Sequence, residues 1–192
     1  MAKFNSIKEL KECLRVEMGK RSKMRILYEA LFASVGGYII FLRLVEYCST
    51  KRTLIRLFGA FFRWRLSRVA VITGIHIPPG TCDKGLTVHH FGSIVVNSAT
   101  RIGRNCCIQN NVNIGATRGS SEAPRIGDNV YIGPGAVIFG DIEIADGCWI
   151  GANAVINKSV TEPNSVVVGV PGKVIKHDTK VWWEYNRLNR EK

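Results

Sequence analysis

Three of the chain's four histidines fall close together, at His76, His89 and His90. A free imidazole titrates near neutral pH, so it can take a proton from a hydroxyl and hand it back to a leaving group. His90 is the leading candidate for such a base. His89 and His76 read either as groups that bind or orient an acceptor or as structural histidines. Other chemistries lack their spacing. No GxGxxG opens a helix and no GxxxxGK[ST] loop is present, which excludes two common nucleotide cradles. The six cysteines (13, 48, 82, 106, 107 and 148) contain no CxxC pair and read as small apolar fillers in a reducing setting.

A base needs a rigid frame, and the second half of the chain supplies one. Every sixth residue from Val96 is aliphatic: Ile102, Ile108, Ile114, Ile126, Ile132, Ile138, Ile144, Ile150 and Ile156, with Ser120 the exception. Six matches neither a helical period nor a strand alternation. It suits a triangular coil with a short strand on each side and a corner every six residues. The aliphatics point inward, and Gly or Asn makes the corners, where positive φ costs them little. Counting back from Val96 places His90 where an aliphatic belongs, which costs stability unless the ring has partners or a role. Ser120 lies in Thr117–Pro124, a polar stretch that reads as a loop extruded from a corner, and the phase resumes at Ile126.

The first part of the chain has a different character. Residues 1–73 hold 15 Lys/Arg against 5 Asp/Glu, a net +10, whereas residues 74–192 hold 12 against 10, a net +2; the whole is +12. Residues 6–31 and 38–70 carry helical apolar stripes, with Gly36-Gly37 read as a turn between them. Arg52, Arg56, Arg63, Arg65 and Arg68 interleave with Phe58, Phe61, Phe62 and Trp64. The segment suits a packed helical appendage with a solvated basic face, or a peripheral contact with anionic membrane. Nucleic-acid binding is not expected, because no recognition motif accompanies the charge. The chain opens without a signal-peptide pattern, and its longest apolar run, Ala30–Leu42, ends at Arg43, short of the roughly 20 residues that span a bilayer. A cytoplasmic location is expected, with the inner face of the plasma membrane as the peripheral alternative.

The hexad resembles the left-handed parallel β-helix of the hexapeptide-repeat acyltransferases. The stretch Gly85–Val96, with Pro78-Pro79-Gly80 before it, is similar to the serine acetyltransferase family, in which a histidine matching His90 is catalytic. The resemblance implies a mainly β fold: a basic α-helical segment (1–74), a left-handed β-helix of about five coils (75–174) and a C-terminal tail, read as helical (175–192). It implies acetyl-CoA as co-substrate, with Gly115, Pro134, Ala152, Asn157, Lys158, Lys173 and Lys176 as cofactor-binding candidates. It also implies a homotrimer, with Val137 and Val155 as candidates to face a neighbour. Carbonic anhydrases on this fold need three zinc histidines, and none occurs between His90 and His177, so no metal is expected.

Three departures from the family pattern bear on the acceptor. His89 stands where the family has an aspartate, and His76 lies near the position of the aspartate that orients the catalytic ring. Glu122-Ala123-Pro124 replaces an Arg-His-Pro whose first two residues bind serine. A glutamate repels a carboxylate that an arginine would hold. On this basis the expected activity is acetyl transfer to a hydroxyl, with a sugar of a capsule or exopolysaccharide slightly preferred. The alternatives are L-serine O-acetylation and a non-catalytic β-helix scaffold.

Overall fold

The structure is a computed structural model that describes residues 4–19, 21–51, 54–177, 179–182 and 184. Four helices come first: α1 Ile7–Met18, α2 Lys23–Leu31, α3 Val35–Ser49 and α4 Leu54–Thr73. Serine side chains cap the first three: Ser6 accepts from the Glu9 amide, Ser22 from Arg25 and Ser34 from Gly37, so each satisfies an amide that the first turn leaves free. The helix expected over 6–31 is therefore two helices, divided at Gly19 (φ +62°) and restarted by Ser22. Gly36 and Gly37 are not a turn. They lie in the first turn of α3, where a Cβ on Gly37 would collide with the Glu29 carbonyl, so close packing of α2 on α3 is what demands glycine there.

Fourteen short strands follow: β1 Ile75–His76, β2 Thr87–Val88, β3 Ile94–Val96, β4 Arg101–Ile102, β5 Cys107–Ile108, β6 Val112–Gly115, β7 Arg125–Ile126, β8 Tyr131–Ile132, β9 Val137–Phe139, β10 Glu143–Ile144, β11 Trp149–Ile150, β12 Val155–Ile156, β13 Val166–Val168 and β14 Lys173–Lys176. They wind into a prism with three faces. Face A stacks β1, β3, β6, β9 and β12; face B stacks β4, β7 and β10, extended by the bridges Cys82–Ile102 and Ile144–Val160; face C stacks β2, β5, β8, β11 and β13. All these pairings are parallel, giving the five coils expected. Val96, Ile102, Ile108, Ile114, Ile126, Ile132, Ile138, Ile144, Ile150 and Ile156 are buried as one column system. Each buried side chain contributes on the order of 1.5–3 kcal/mol. Asn105, Asn111, Asn129, Asn153 and Asn164 hold φ of 55–60° at the corners.

The backward count to His90 fails. Val88 pairs with Ile108 and Val96 with Ile114, so Val88 holds the inward place, and the eight-residue step from Val88 to Val96 carries two extra residues. The corner absorbs them, which leaves His89 and His90 exposed. At the other end, β14 runs to Lys176, beyond the expected boundary at 174, and turns back antiparallel on β13. Trp182 is buried, its Nε1 donating to the Asn105 carbonyl at 2.8 Å. Of the tail read as helical, residues 178, 183 and 185–192 lie outside the described residues.

Helices and prism share one apolar core, and a buried ion cluster joins them. Arg43, fully buried, bonds Glu17 at 2.6 Å, Glu46 at 2.8 Å, and the carbonyls of Cys82 and Asp83 at 3.1 and 2.7 Å. Glu17 also accepts the amides of Gly85 and Leu86 at 2.9 and 3.0 Å, and Glu46 that of Gly80 at 2.8 Å. Burial pushes the Glu46 carboxyl above its ordinary range, against the pull of Arg43. Every charge here has hydrogen-bonded partners, the condition under which burial of ions is tolerated.

Candidate active site

The corner between faces C and A gathers part of the expected site. Going up the prism it carries His89 and His90, then Asn110 and Asn111, then Pro134, then Ala152 and Asn153. The stacking is tied by Gly135 N to Asn110 O at 3.0 Å and Asn153 N to Pro134 O at 2.8 Å. The His89 and His90 rings lie 6.2 Å apart between centroids. Phe91 beside them is exposed, an aromatic neighbour that the sequence reading passed over. Among the described residues no carboxylate hydrogen-bonds His90, so the ring meets solvent with its edge free for a substrate hydroxyl.

His76 sits on the outer side of face A. Its register neighbours are Val95, then Asn113, Val137 and Val155, which form one outward row across the five coils. Asn113 is the polar member between valines, and its amide is the one hydrogen-bonding side chain there besides His76. The signal was present as a polar residue inside the strand Val112–Gly115, but nothing local marks which face it occupies.

The remaining cofactor candidates divide. Gly115, Asn157 and Lys158 lie at the corner between faces A and B, where Gly140 N donates to Gly115 O at 3.1 Å. Face A thus lies between His90 on one edge and Gly115, Asn157 and Lys158 on the other. Lys173 begins β14 just after Gly172, whose amide bonds Val155 O at 2.8 Å, which keeps it near the top of this face. Lys176 does not join them: it pairs with Val166 at the start of β13, on the far edge of face C. A phosphate held by both lysines would have to bridge a four-residue strand, roughly 10 Å at about 3.3 Å per residue.

Gly115 fits a ligand surface better than a packing role. A Cβ there would meet only Asn113 Oδ1, at 3.6 Å, and the residue is not among the glycines with positive φ. Gly133, by contrast, would press a Cβ against Ala152 N and Ile150 O, both at 2.8 Å. Neither conformation nor neighbours require glycine at 115, and a thin pantetheine-like chain passing close to the backbone would.

The loop after β6 leaves beside Gly115 and returns at Arg125. Its Glu122 is exposed and pairs with Arg125 at 3.8 Å, while Arg125 also meets Glu143 at 3.7 Å. Ala123 is buried and Arg118 is exposed near the tip. Such exposed pairs contribute little stability, but they screen the charge of Glu122. Among the described residues no group of three His, Cys, Asp or Glu is placed to hold a metal.

Known proteins share both the sequence and the architecture. The bacterial transferase hexapeptide (six repeats) family matches residues 123–158. The serine acetyltransferase of Staphylococcus xylosus is 32% identical over 182 residues, covering 91% of this chain and 80% of that protein. Other curated serine acetyltransferases match over about half of their own length, 47–51%. The crystal structure of the Brucella abortus serine acetyltransferase superimposes with a TM-score of 0.70 at 25% identity, over 90% of this chain and 71% of that one. Soybean serine acetyltransferase complexed with serine gives 0.68 at 27% identity, over 90% and 72%. With identity sustained along nine-tenths of its length on a shared hexapeptide β-helix, the chain belongs to the serine acetyltransferase family of acyltransferases.

Proposed function

We propose that the chain transfers acetyl from acetyl-CoA to the hydroxyl of L-serine. The observation that carries this reading is the 32% identity over 91% of the chain to the Staphylococcus xylosus enzyme, joined to an exposed His90 on the edge of face A. In this reading His90 takes the serine hydroxyl proton and the oxygen attacks the thioester carbonyl. A backbone amide on the corner steadies the oxyanion. The C–O bond forms, the C–S bond breaks, and the thiolate of coenzyme A takes the proton back from the imidazolium. No covalent acyl-enzyme is required.

The sugar acceptor preferred on Glu122-Ala123 gives way to serine. The relatives are serine acetyltransferases, one of them solved with serine, and Glu122 is partly screened by Arg125. The outward row of Val95, Val137 and Val155 on face A suits contact with another prism, and we read the assembly as a homotrimer. Thiol release from acetyl-CoA, measured with L-serine beside nucleotide- and lipid-linked sugars, tests the acceptor. Saturable turnover of serine, abolished in His90→Ala, is expected. Turnover of a sugar alone would restore the earlier acceptor, and thiol release by His90→Ala at the wild-type rate would favour a scaffold.

A further inference from the structure

We propose that α2 and α4 form a face that docks on a membrane surface rich in anionic phospholipid. Helix α4 is apolar on two sides. Leu66 and Val69 are buried against the core, while Phe58, Phe61, Trp64, Val71 and Ile72 are each more than half exposed. At 100° per residue these five fall within an arc of roughly 140°, separate from the buried stripe. Phe61 and Trp64 lie 6.0 Å apart between ring centroids and form the middle of the patch.

Helix α2 extends it. Leu27, Leu31 and Phe32 are also more than half exposed, and Arg65 Nη2 donates to the carbonyls of Ala30 and Leu31 at 3.2 and 3.1 Å, tying the end of α2 to the middle of α4. Exposed Arg68 lies among the rings, between Phe61 and Trp64 on the helix, and exposed Arg56 and Arg63 lie beyond the edge of the arc. Helix α4 contains no Asp or Glu. The single carboxylate of α2, Glu29, is buried and held by Arg21 and Arg25 at 2.9 and 3.3 Å. The charges within and beside this apolar face are therefore all cationic.

Charge decides the occupant. A second copy meeting this face through its own equivalent would set arginine against arginine, with no carboxylate on either side to answer. Anionic lipid answers both features: phosphates take the guanidiniums while phenyl and indole rings enter the headgroup boundary. Crossing the bilayer does not suit the geometry. No single helix among the described residues is long and apolar enough. The α2–α3 pair that passes by composition is bent by 82°, and α3 is buried in the core. Helix α4 ends where the prism begins, with Gly92 N on Thr73 O and Ile94 N on Gly74 O, both at 3.0 Å. Docking would therefore hold the His90 coil beside the lipid surface, whichever acceptor is used.

Flotation of the full chain with phosphatidylcholine vesicles, with and without about one-third phosphatidylglycerol, tests this. Flotation is expected with the anionic vesicles and not with the neutral ones. Each arginine near the surface is worth about fivefold in partitioning, so Arg56→Gln/Arg63→Gln/Arg68→Gln should lower it roughly a hundredfold. Phe58→Ser/Phe61→Ser/Trp64→Ser should lower it at least about tenfold through lost apolar burial. These side chains are exposed, so circular dichroism and melting should match the parent. Trp64 emission, taken as the difference from Trp64→Phe, should shift to the blue on anionic vesicles. Absence of flotation, equal flotation on neutral vesicles, or an unshifted Trp64 would overturn the proposal. So would a ring variant that shrinks the sedimenting oligomer while leaving vesicle binding intact, which would assign the face to a second copy.

Discussion

Gly115→Ala separates a ligand surface from a packing site in one substitution. The added methyl would meet only Asn113 Oδ1, at 3.6 Å, an ordinary contact, and the backbone needs no positive φ. Alanine narrows the unfolded ensemble, so stability should hold or rise by about 0.4–1 kcal/mol. At about 2–4 °C per kcal/mol for a chain of this size, the melting temperature should stay level or climb by roughly 1–4 °C. If the acyl donor passes within van der Waals distance of Gly115, the same methyl occupies its path. Forcing a methyl into a filled space costs about 1–3 kcal/mol, or roughly 5- to 150-fold in KM for acetyl-CoA, with KM for the acceptor far less affected. Gly133→Ala is the control, because its Cβ would press on Ala152 N and Ile150 O at 2.8 Å; it should melt several degrees lower. Thermal melts and thiol-release kinetics on the two proteins decide the matter. A Gly115→Ala enzyme with unchanged KM would show that the donor does not run past this corner, and one that melts well below the parent would refute the packing argument.

Three further outcomes follow from the same geometry. Glu17→Gln keeps an acceptor for the Gly85 and Leu86 amides but strips Arg43 of its closest countercharge, so urea unfolding should show a loss of about 3–5 kcal/mol; a loss below about 1 would mean the cluster is not a staple. Burial pushes the Cys13, Cys82 and Cys107 thiols up to about 12, so they stay protonated in the fold after the unfolded chain begins to ionise near the ordinary value of 9.0. The unfolded state then binds fewer protons, and the urea midpoint should fall as pH rises from about 9 towards 12 while native thiols resist a disulfide reagent at pH 8; flat stability across that window would contradict their burial. If the exposed Arg118 of the loop meets the serine carboxylate, Arg118→Ala should raise KM for serine by about tenfold or more with KM for acetyl-CoA unchanged; equal effects on both would refute that contact.

Some of this was legible residue by residue and some was not. The inward ladder was visible because each place on it must be apolar and branched, and Ile102 through Ile156 advertise that directly. Arg43 announced itself as a charge ending an apolar run, but its partners Glu17, Cys82 and Asp83 lie 26 to 40 residues away, and no local pattern connects them. Gly36-Gly37 misled because a turn and a tight helix crossing both ask for glycine. Lys173 and Lys176 came together only through the family resemblance, which carries no sign that β14 reverses direction and takes Lys176 to the opposite edge of face C.

The deeper limit is arithmetic. A count of six says which side chain is inside, whereas only a count of eighteen says which face it serves. Undisturbed coils keep that count: Val96 pairs with Ile114, and Ile138 with Ile156, each 18 apart. Val88 pairs with Ile108 at 20, because the His89-His90 corner adds two, and Ile108 pairs with Ile132 at 24, because the loop adds six. An insertion of six is invisible to a six-residue period, which is why Ile126 resumes in phase. It nonetheless moves everything beyond it by one face relative to an uninterrupted count. The fold could thus be read from the repeat alone, while the grouping of His90 with Pro134 and Ala152, and of Gly115 with Asn157 and Lys158, depends on where the two insertions fall. Both fall in stretches that carry candidate chemistry, the histidine corner and the loop beside Gly115, since a corner is the one place on such a prism where extra residues cost no inward aliphatic contact.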